Sequence, residues 1–237
     1  MRLHVQHTTT YSYARPVTLH RHRLVLRPRE GHDLRVERLR LDVAPPCRVD
    51  WIRDVFGNSI ALVDVLEPAD TLTIASDVVL ERLLPFPTRE RHEPWHVPFP
   101  PRYDPLEAAI TAVYLQSTYL DDVPAVQTWL RAEAPLDPLD AEGAMLALCR
   151  RIHAAIKYQR RVEKGVQAPA QTVALGTGSC RDMATLLMEA ARASGVAARF
   201  ASGYLHGRAS RASAGILPPR RASTPLRPSR RGRRCSP

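Results

Sequence analysis

The chain has 237 residues, 44% of them hydrophobic, which is enough to bury a substantial core and to form two small domains. Its formal net charge is +10, but nine of its 34 basic residues follow Gly207, where no acidic residue occurs. The part before this tail carries 25 basic and 24 acidic residues, so it is nearly neutral and gives no reason to expect a specific nucleic-acid partner.

Further classes of protein are excluded by what the sequence lacks. It has no run of roughly eighteen apolar residues, and the segment 1–13 has no apolar core that would indicate a secretion signal. We therefore predict a cytoplasmic protein with no membrane partner. The cysteines, Cys47, Cys149, Cys180 and Cys235, are widely spaced and form no C-x-x-C pair. We predict no metal site, no disulfide framework and no cofactor.

Residues 1–84 have the two-residue period of β-strands. Four segments alternate residue types in this way: 3–13, 17–26, 33–43 and 71–82. Between the last two, Phe56-Gly57-Asn58 indicates a turn that joins two more strands. We predict an antiparallel β-sandwich or meander as the first domain.

The run His20-Arg21-His22-Arg23 has the composition of a phosphate or metal site. On a strand, however, consecutive side chains point to opposite faces, so these four cannot converge on one ligand. We interpret the run as part of a polar edge strand.

Prolines crowd the next stretch, which excludes regular structure, and we predict a linker over 85–104. A helical core is predicted over 105–207. Asp104-Pro105 is typical of an N-cap followed by the first residue of a helix, and Asp137-Pro138 repeats the pattern.

The segment 141–158 is predicted to be helical, because Met145, Leu148, Ile152 and Ile156 share one helical face. On the same helix Cys149 and His153 are four residues apart and could share a metal ion. With no third ligand in sight, we do not expect a metal there.

The segment 176–205, GTGSCRDMATLLMEAARASGVAARFASGYL, carries the most informative pattern. Two glycines permit a tight turn before Ser179, a good N-cap, and Asp182 completes a capping box three residues later. The pattern predicts a helix that begins at Cys180, carries an apolar stripe of Met183, Leu186, Leu187 and Ala190, and ends before Gly195. The remaining residues, VAARFASGYL, have the character of a strand.

Cys180 is therefore expected in the first turn of a helix. The unpaired N–H groups and the positive end of the helix dipole there favour thiolate over thiol, and the same N–H groups can bind an oxyanion. The alternative is a small buried residue that packs the helix onto its neighbours, the commonest role of a cysteine outside a disulfide. We favour a nucleophile, because the thiol follows a Gly-x-Gly-Ser turn and precedes a capping aspartate.

This segment resembles the nucleophile region of bacterial transglutaminase-like proteins, in which G-S-C-R-D-x-A opens a helix and a strand ending in S-G-Y follows. The stretches HTTTYSYARPVTLHRHRLVLRPR and DVFGN resemble the β-rich domain that precedes that core. The resemblance implies an α+β protein with a partial papain-like core, in which Cys180 forms a thioester with a glutaminyl or peptide carbonyl of a protein or peptide substrate. Water or an amine would resolve the thioester, so transferase, peptidase and amidase chemistry stay open. Arg181 and Asp182 match the motif, and we assign them to capping and local electrostatics.

The family's histidine and acid are expected on later strands, in His-Ala-Trp-like and F-D-P-like contexts. Neither context occurs: the last histidine is His206, the last aspartate is Asp182 and the last tryptophan is Trp129. His206 would end the strand before the expected one, with no acidic residue after it, so we do not expect it to act as the base. An inactive chain is predicted, and whether the chain is stable alone stays open.

Residues 208–237 are rich in Arg, Pro, Ser and Ala, and we predict a disordered basic tail. Three hypotheses follow. The first is a transglutaminase-like enzyme that is C-terminally truncated or frameshifted near Gly207, so that another reading frame of the gene should encode the missing strands. The second is a non-catalytic protein-binding module derived from the fold. The third, nucleic-acid binding by the tail, ranks lowest because such tails bind phosphates weakly. The oligomeric state stays open.

Overall fold

The computed structural model describes residues 1–83, 97–132, 140–161, 163 and 165–204, and the backbone of 223–225. Contacts divide these residues into two units, one containing 1–83 and the other beginning after residue 92. Residues 85–96 of the predicted linker lie outside the described residues, so the linker and the domain boundaries stay predictions.

The first unit contains two three-stranded antiparallel sheets with strand orders β1-β6-β3 and β2-β5-β4. The strands are β1 Arg2–Val17, β2 His22–Leu24, β3 Leu34–Ala44, β4 Cys47–Arg53, β5 Ser59–Val65 and β6 Ala69–Arg82. The predicted antiparallel β-structure is confirmed. A simple meander is excluded, because the first and last strands are neighbours in one sheet.

The turn between β4 and β5 forms where the sequence predicts it. Gly57 has a φ of +76°, a value that favours glycine. The Asp54 carboxylate accepts hydrogen bonds from the N–H groups of Phe56 at 3.0 Å and Asn58 at 2.8 Å, so the turn is held by its own side chain. His22 and Arg23 lie on β2, an edge strand of its sheet, as the interpretation of the His-Arg run requires, whereas His20 and Arg21 precede the strand.

Strand β6 alternates between a buried face and a partly exposed face from Leu72 to Val78. Leu72, Ile74 and Val78 are buried on one face, as the two-residue period requires. On the other face Asp77 accepts hydrogen bonds from Gln6 and His4, and these bonds hold the pKa of its carboxyl well below the usual range. The Asp77 carboxylate is therefore held by two side chains of the neighbouring strand β1.

Five α-helices and four short strands, together with a 3₁₀ turn at Leu120–Asp122, make up the described part of the second unit. They are α1 Pro105–Leu115, α2 Val123–Ala132, α3 Ala141–Ala155, β7 Lys157–Tyr158, α4 Pro169–Leu175, β8 Thr177–Gly178, α5 Cys180–Ala193, β9 Ala201–Gly203 and β10 Ser223–Pro225. β7 pairs with β8, and β9 with β10, both in parallel. None of the helices in these residues is long and apolar enough to cross a membrane.

The start of α1 follows the predicted capping rule, and α3 is capped in the same way. Asp104 caps α1, and its Oδ1 accepts from the N–H groups of Leu106 and Glu107. α3 begins at Ala141 and its N-cap is Asp140, whose carboxylate accepts from the Gly143 N–H at 2.6 Å. The predicted start at Asp137-Pro138 lies outside the described residues.

Helix α5 lies in the middle of the core of this unit. Leu186 and Ala190 on α5 pack with Leu148 and Ile152 on α3 and with Val126 on α2, all of them buried. The apolar stripes predicted for both helices are therefore confirmed. Because α5 is packed along its length, the position of its first residue is determined by the core.

The strand predicted after Gly195 is shorter than expected. Only Ala201–Gly203 is a strand in the described part of that segment. Before it, the Ala197 N–H donates to the Tyr103 hydroxyl and the Ala198 N–H to the Tyr114 carbonyl. The prediction of a strand from residue 196 is wrong, because these amides bond to groups in and before α1 and not to a neighbouring strand.

Candidate active site

Cys180 is the first residue of α5 and its side chain is partly exposed. Ser179 is the N-cap and adopts an extended backbone conformation. Both features agree with the helix start predicted from the sequence. A thiol here adjoins the positive end of a helix of 14 residues and is accessible to a reagent.

Asp182 holds this helix start together and is fully buried. Its Oδ2 accepts from the Ser179 N–H at 2.8 Å and from the Ser179 hydroxyl at 2.7 Å, which completes the capping box. Its Oδ1 accepts from the Gln167 N–H at 2.8 Å and from Arg161 Nη1 at 3.0 Å. One carboxylate thus joins the helix start to the segment before α4.

The surroundings of Asp182 favour its charged form. Burial acts to raise the pKa of the carboxyl, but the hydrogen bonds from Gln167, Ser179 and Arg161 outweigh burial, so its pKa lies below the usual value. A buried carboxylate with so many donors stabilises the structure only while all its partners are in place.

Two glycines bring the chain to Cys180, for different reasons. Gly176 ends α4 with a φ of +59°, in the left-handed region. Gly178 has no positive φ, but a Cβ there would lie 3.1 Å from the Asp182 Cβ and 3.4 Å from the Thr172 Cγ2. Gly178 is therefore required for the close packing of the chain against Asp182.

Gly178→Ala is expected to lower the free energy of unfolding of the second unit by about 1–3 kcal/mol, because the added methyl group overpacks the contact with Asp182. Gly203→Ala is the matched control: a Cβ at Gly203 meets nothing within 4 Å. Chemical denaturation of both variants measures the difference. Equal free energies of unfolding would show that the structure accommodates the methyl group beside Asp182 without loss of stability.

The residues that support Asp182 from outside α5 were missed by the sequence analysis. Arg161 and Gln167 precede Asp182 by 21 and 15 residues. The Gln167 amide also donates to the Thr172 hydroxyl at 3.0 Å and to the Thr177 carbonyl at 2.9 Å. No motif or periodicity connects these positions, so only the folded chain brings them together.

The other candidates from the sequence do not join Cys180 in a site. Cys149 is buried in the core, and burial raises its pKa to about 11, whereas His153 on the same helix is exposed. Among the residues that the structure describes, no three His, Cys, Asp or Glu side chains are placed to hold a metal ion. His206 lies outside the described residues.

The opposite end of α5 is organised by a second buried ion pair. Arg192 Nη1 donates to Glu189 at 2.8 Å, and both side chains are nearly inaccessible to solvent. Glu189 also accepts from the Ser117 hydroxyl at 2.7 Å, while Arg192 donates to the carbonyls of Tyr114 and Ala198. These groups adjoin a cavity of about 220 Å³ between α5 and α2.

Both units match known families. Residues 3–81 match the family described as bacterial transglutaminase-like N-terminal region, and residues 116–223 match the transglutaminase-like superfamily. The core match extends past Gly207, where the resemblance drawn from the sequence ends. The chain belongs to the transglutaminase-like superfamily, with the bacterial N-terminal region preceding the core, and the predicted family is confirmed.

Relatives support the same assignment. Uncharacterized proteins of Mycobacterium bovis and Mycobacterium tuberculosis are each 30% identical over 214 residues, a match that spans 86% of this chain and 66% of theirs. The crystal structure of a proposed cysteine protease from Cytophaga hutchinsonii has a TM-score of 0.62 at 14% identity, over 82% of this chain and 64% of that one. At that identity the likeness shows a shared fold. The chain spans just under two thirds of the length of these proteins.

Proposed function

We propose that Cys180 is the nucleophile of a transglutaminase-like acyl-transfer or peptidase-type reaction on protein or peptide amides. The observation that carries the proposal is the position of Cys180: a partly exposed thiol at the first residue of α5, with the helix start held by buried Asp182. In such a reaction the thiolate attacks the amide carbonyl, and the N–H groups of the first turn bind the oxyanion. The amine leaves with a proton, and water or a second amine then cleaves the thioester.

We further propose that the 237-residue chain does not complete this cycle. In the described part of the second unit the one histidine is His153, exposed in the last turn of α3. The last acidic residue of the sequence is Glu189, and its carboxylate is engaged by Arg192. A catalytic cysteine, its base and the acid that orients the base act as a unit, so loss of the base and acid that the family resemblance places on later strands should lower turnover by several powers of ten.

The reactivity of Cys180 tests the first proposal. Lowering a thiol pKa by about two units raises its thiolate fraction roughly 100-fold at pH 6. Because a thiolate of lower pKa is also a weaker nucleophile, its intrinsic rate of alkylation falls by about a factor of ten. Iodoacetamide should therefore alkylate Cys180 about ten times faster at pH 6 than it alkylates a cysteine in a short unstructured peptide. Peptide mass spectrometry locates the label, and a rate equal to the peptide's would refute an activated thiolate.

The same chain supplies two internal references for this measurement. Cys47 on β4 is partly exposed and its pKa is raised by burial, so it should react slowly. Cys149 is buried, so its labelling reports unfolding of the second unit. In a parallel assay, incorporation of a labelled primary amine into a glutamine-containing protein should be undetectable, and measurable turnover would overturn the second proposal.

A protein-binding module is the second candidate, and helix α1 favours it. Leu106, Ile110 and Val113 lie on one face of α1 and are 86%, 66% and 61% exposed. This alternative predicts ordinary alkylation kinetics at Cys180, no activity, and a monodisperse chain whose thermal stability is unchanged in Cys180→Ala. Accelerated alkylation of Cys180 would count against it.

A further inference from the structure

The burial of Asp182 is not explained by its capping role alone. A capping box requires only that the N3 carboxylate accept from the N-cap N–H, which an exposed side chain can do. Here the carboxylate has no solvent exposure, and its countercharge comes from Arg161, whose own side chain is 20% exposed. Arg161 thus lies 21 residues before Asp182, in a segment remote in sequence from helix α5.

The two oxygens of Asp182 have different tasks. Oδ2 accepts from the N–H and the hydroxyl of Ser179, immediately before Cys180. Oδ1 accepts from Arg161 and Gln167, which belong to the segment between β7 and α4. Loss of the Arg161 cation would thus leave a buried negative charge beside the turn that carries the thiol.

A negative charge close to Cys180 opposes formation of the thiolate, and a positive charge favours it. Neither α4 nor β8 carries a charged residue. Other ionisable groups lie on elements around this helix start. Glu163 pairs with Arg161 at 3.5 Å, Arg181 and Lys157 are exposed, and the Asp122 carboxylate accepts from the Ala170 N–H on α4. The pKa of Tyr119 is raised by burial and by the charges of Glu189, Asp122 and Asp182. Arg161 is thus the cation in direct contact with Asp182.

We propose that Arg161 is a positioning residue for Cys180: it neutralises the buried Asp182 carboxylate and ties the segment 161–167 to the first turn of α5. The inference rests on the proposed nucleophilic role of Cys180. Arg161 need not touch a substrate, because it acts through Asp182.

The test is the pH dependence of Cys180 alkylation in the full chain, with opposite shifts expected for two variants. Arg161→Met should raise the midpoint of the alkylation profile by about half to one pH unit, since Asp182 then faces the thiolate uncompensated. Asp182→Asn should lower the midpoint, since Arg161 then acts alone. Arg161→Lys should restore a midpoint close to that of the unmodified chain, and Arg160→Met, at an exposed neighbour, should leave it unchanged.

Residues with a purely structural role would not give shifts of opposite sign. If Arg161→Met leaves the midpoint unchanged, or if both variants shift it in the same direction while Cys149 stays unlabelled, the positioning role is wrong. If Cys149 becomes labelled in Asp182→Asn, that variant has unfolded, and the comparison of Arg161→Met with Arg161→Lys then decides whether Arg161 has the positioning role. Slow alkylation of Cys180 in the unmodified chain would refute the proposed function, whereas fast alkylation unaffected by Arg161 would refute only the positioning role.

Discussion

Asp182→Ala is expected to destabilise the second unit by about 3–5 kcal/mol, because it leaves Arg161 and two backbone N–H groups without their buried acceptor. The donors are the N–H groups of Gln167 and Ser179, at 2.8 Å from the carboxylate oxygens. The measurement is the urea concentration at which Cys149 becomes accessible to alkylation, since that residue reports the second unit alone. Asp121→Ala, at an exposed carboxylate beside Asp122, is the control and should change stability by less than about 0.5 kcal/mol.

The contribution of Asp182 should also depend on pH in a definite direction. Its pKa is lowered in the folded state, so the folded chain releases this proton more readily than the unfolded chain. The stabilisation is therefore fully present above the ordinary aspartate pKa and is lost as pH falls through the lowered value. The stability difference between the unmodified chain and Asp182→Asn should shrink as the pH falls below the ordinary aspartate pKa of about 4. A difference that persists undiminished at the acid end would show that the charge of Asp182 contributes nothing.

Arg192→Met is expected to destabilise the second unit by a similar amount, about 3–5 kcal/mol. The substitution keeps an unbranched side chain but leaves the Glu189 carboxylate buried without its cation. It also removes donors from the carbonyls of Tyr114 and Ala198, which connect α1 to the segment after α5. The shift of the urea midpoint for Cys149 labelling measures the loss, and Arg199→Met, at an exposed arginine, is the matched control.

A double substitution separates the charge from the packing. The double variant Glu189→Gln with Arg192→Met has no unpaired carboxylate. Its loss in free energy of unfolding should therefore be smaller than the sum of the losses in the two single variants. Strict additivity would mean that the two residues contribute independently and that the ion pair does not account for the loss in Arg192→Met.

Several features were predicted because they depend on residues close together in the chain. The capping box at Cys180 depends on Ser179 and Asp182, three residues apart, and the turn at Gly57 on the glycine and Asp54. The alternation in β6 and the apolar stripe of α5 follow from the backbone periods of strand and helix. The family was recognised for the same reason, because its motif is a short continuous segment.

Features that join distant residues were not predicted. The sequence indicated strands but not that β1 pairs with β6, and it indicated a strand after Gly195 where two amides instead bond to Tyr103 and Tyr114. Such contacts depend on which surfaces meet when the chain folds, and the residue pattern within one segment does not predict which distant segment packs against it.

The sequence by itself determined that Cys180 begins a capped helix, since that arrangement needs only neighbouring residues and backbone geometry. Only the tertiary structure decided that the capping carboxylate is buried and compensated by Arg161 and Gln167, which lie 21 and 15 residues away. The physical reason is burial: a carboxylate removed from water must find its donors in whichever segment packs over it, and that segment is chosen by the core.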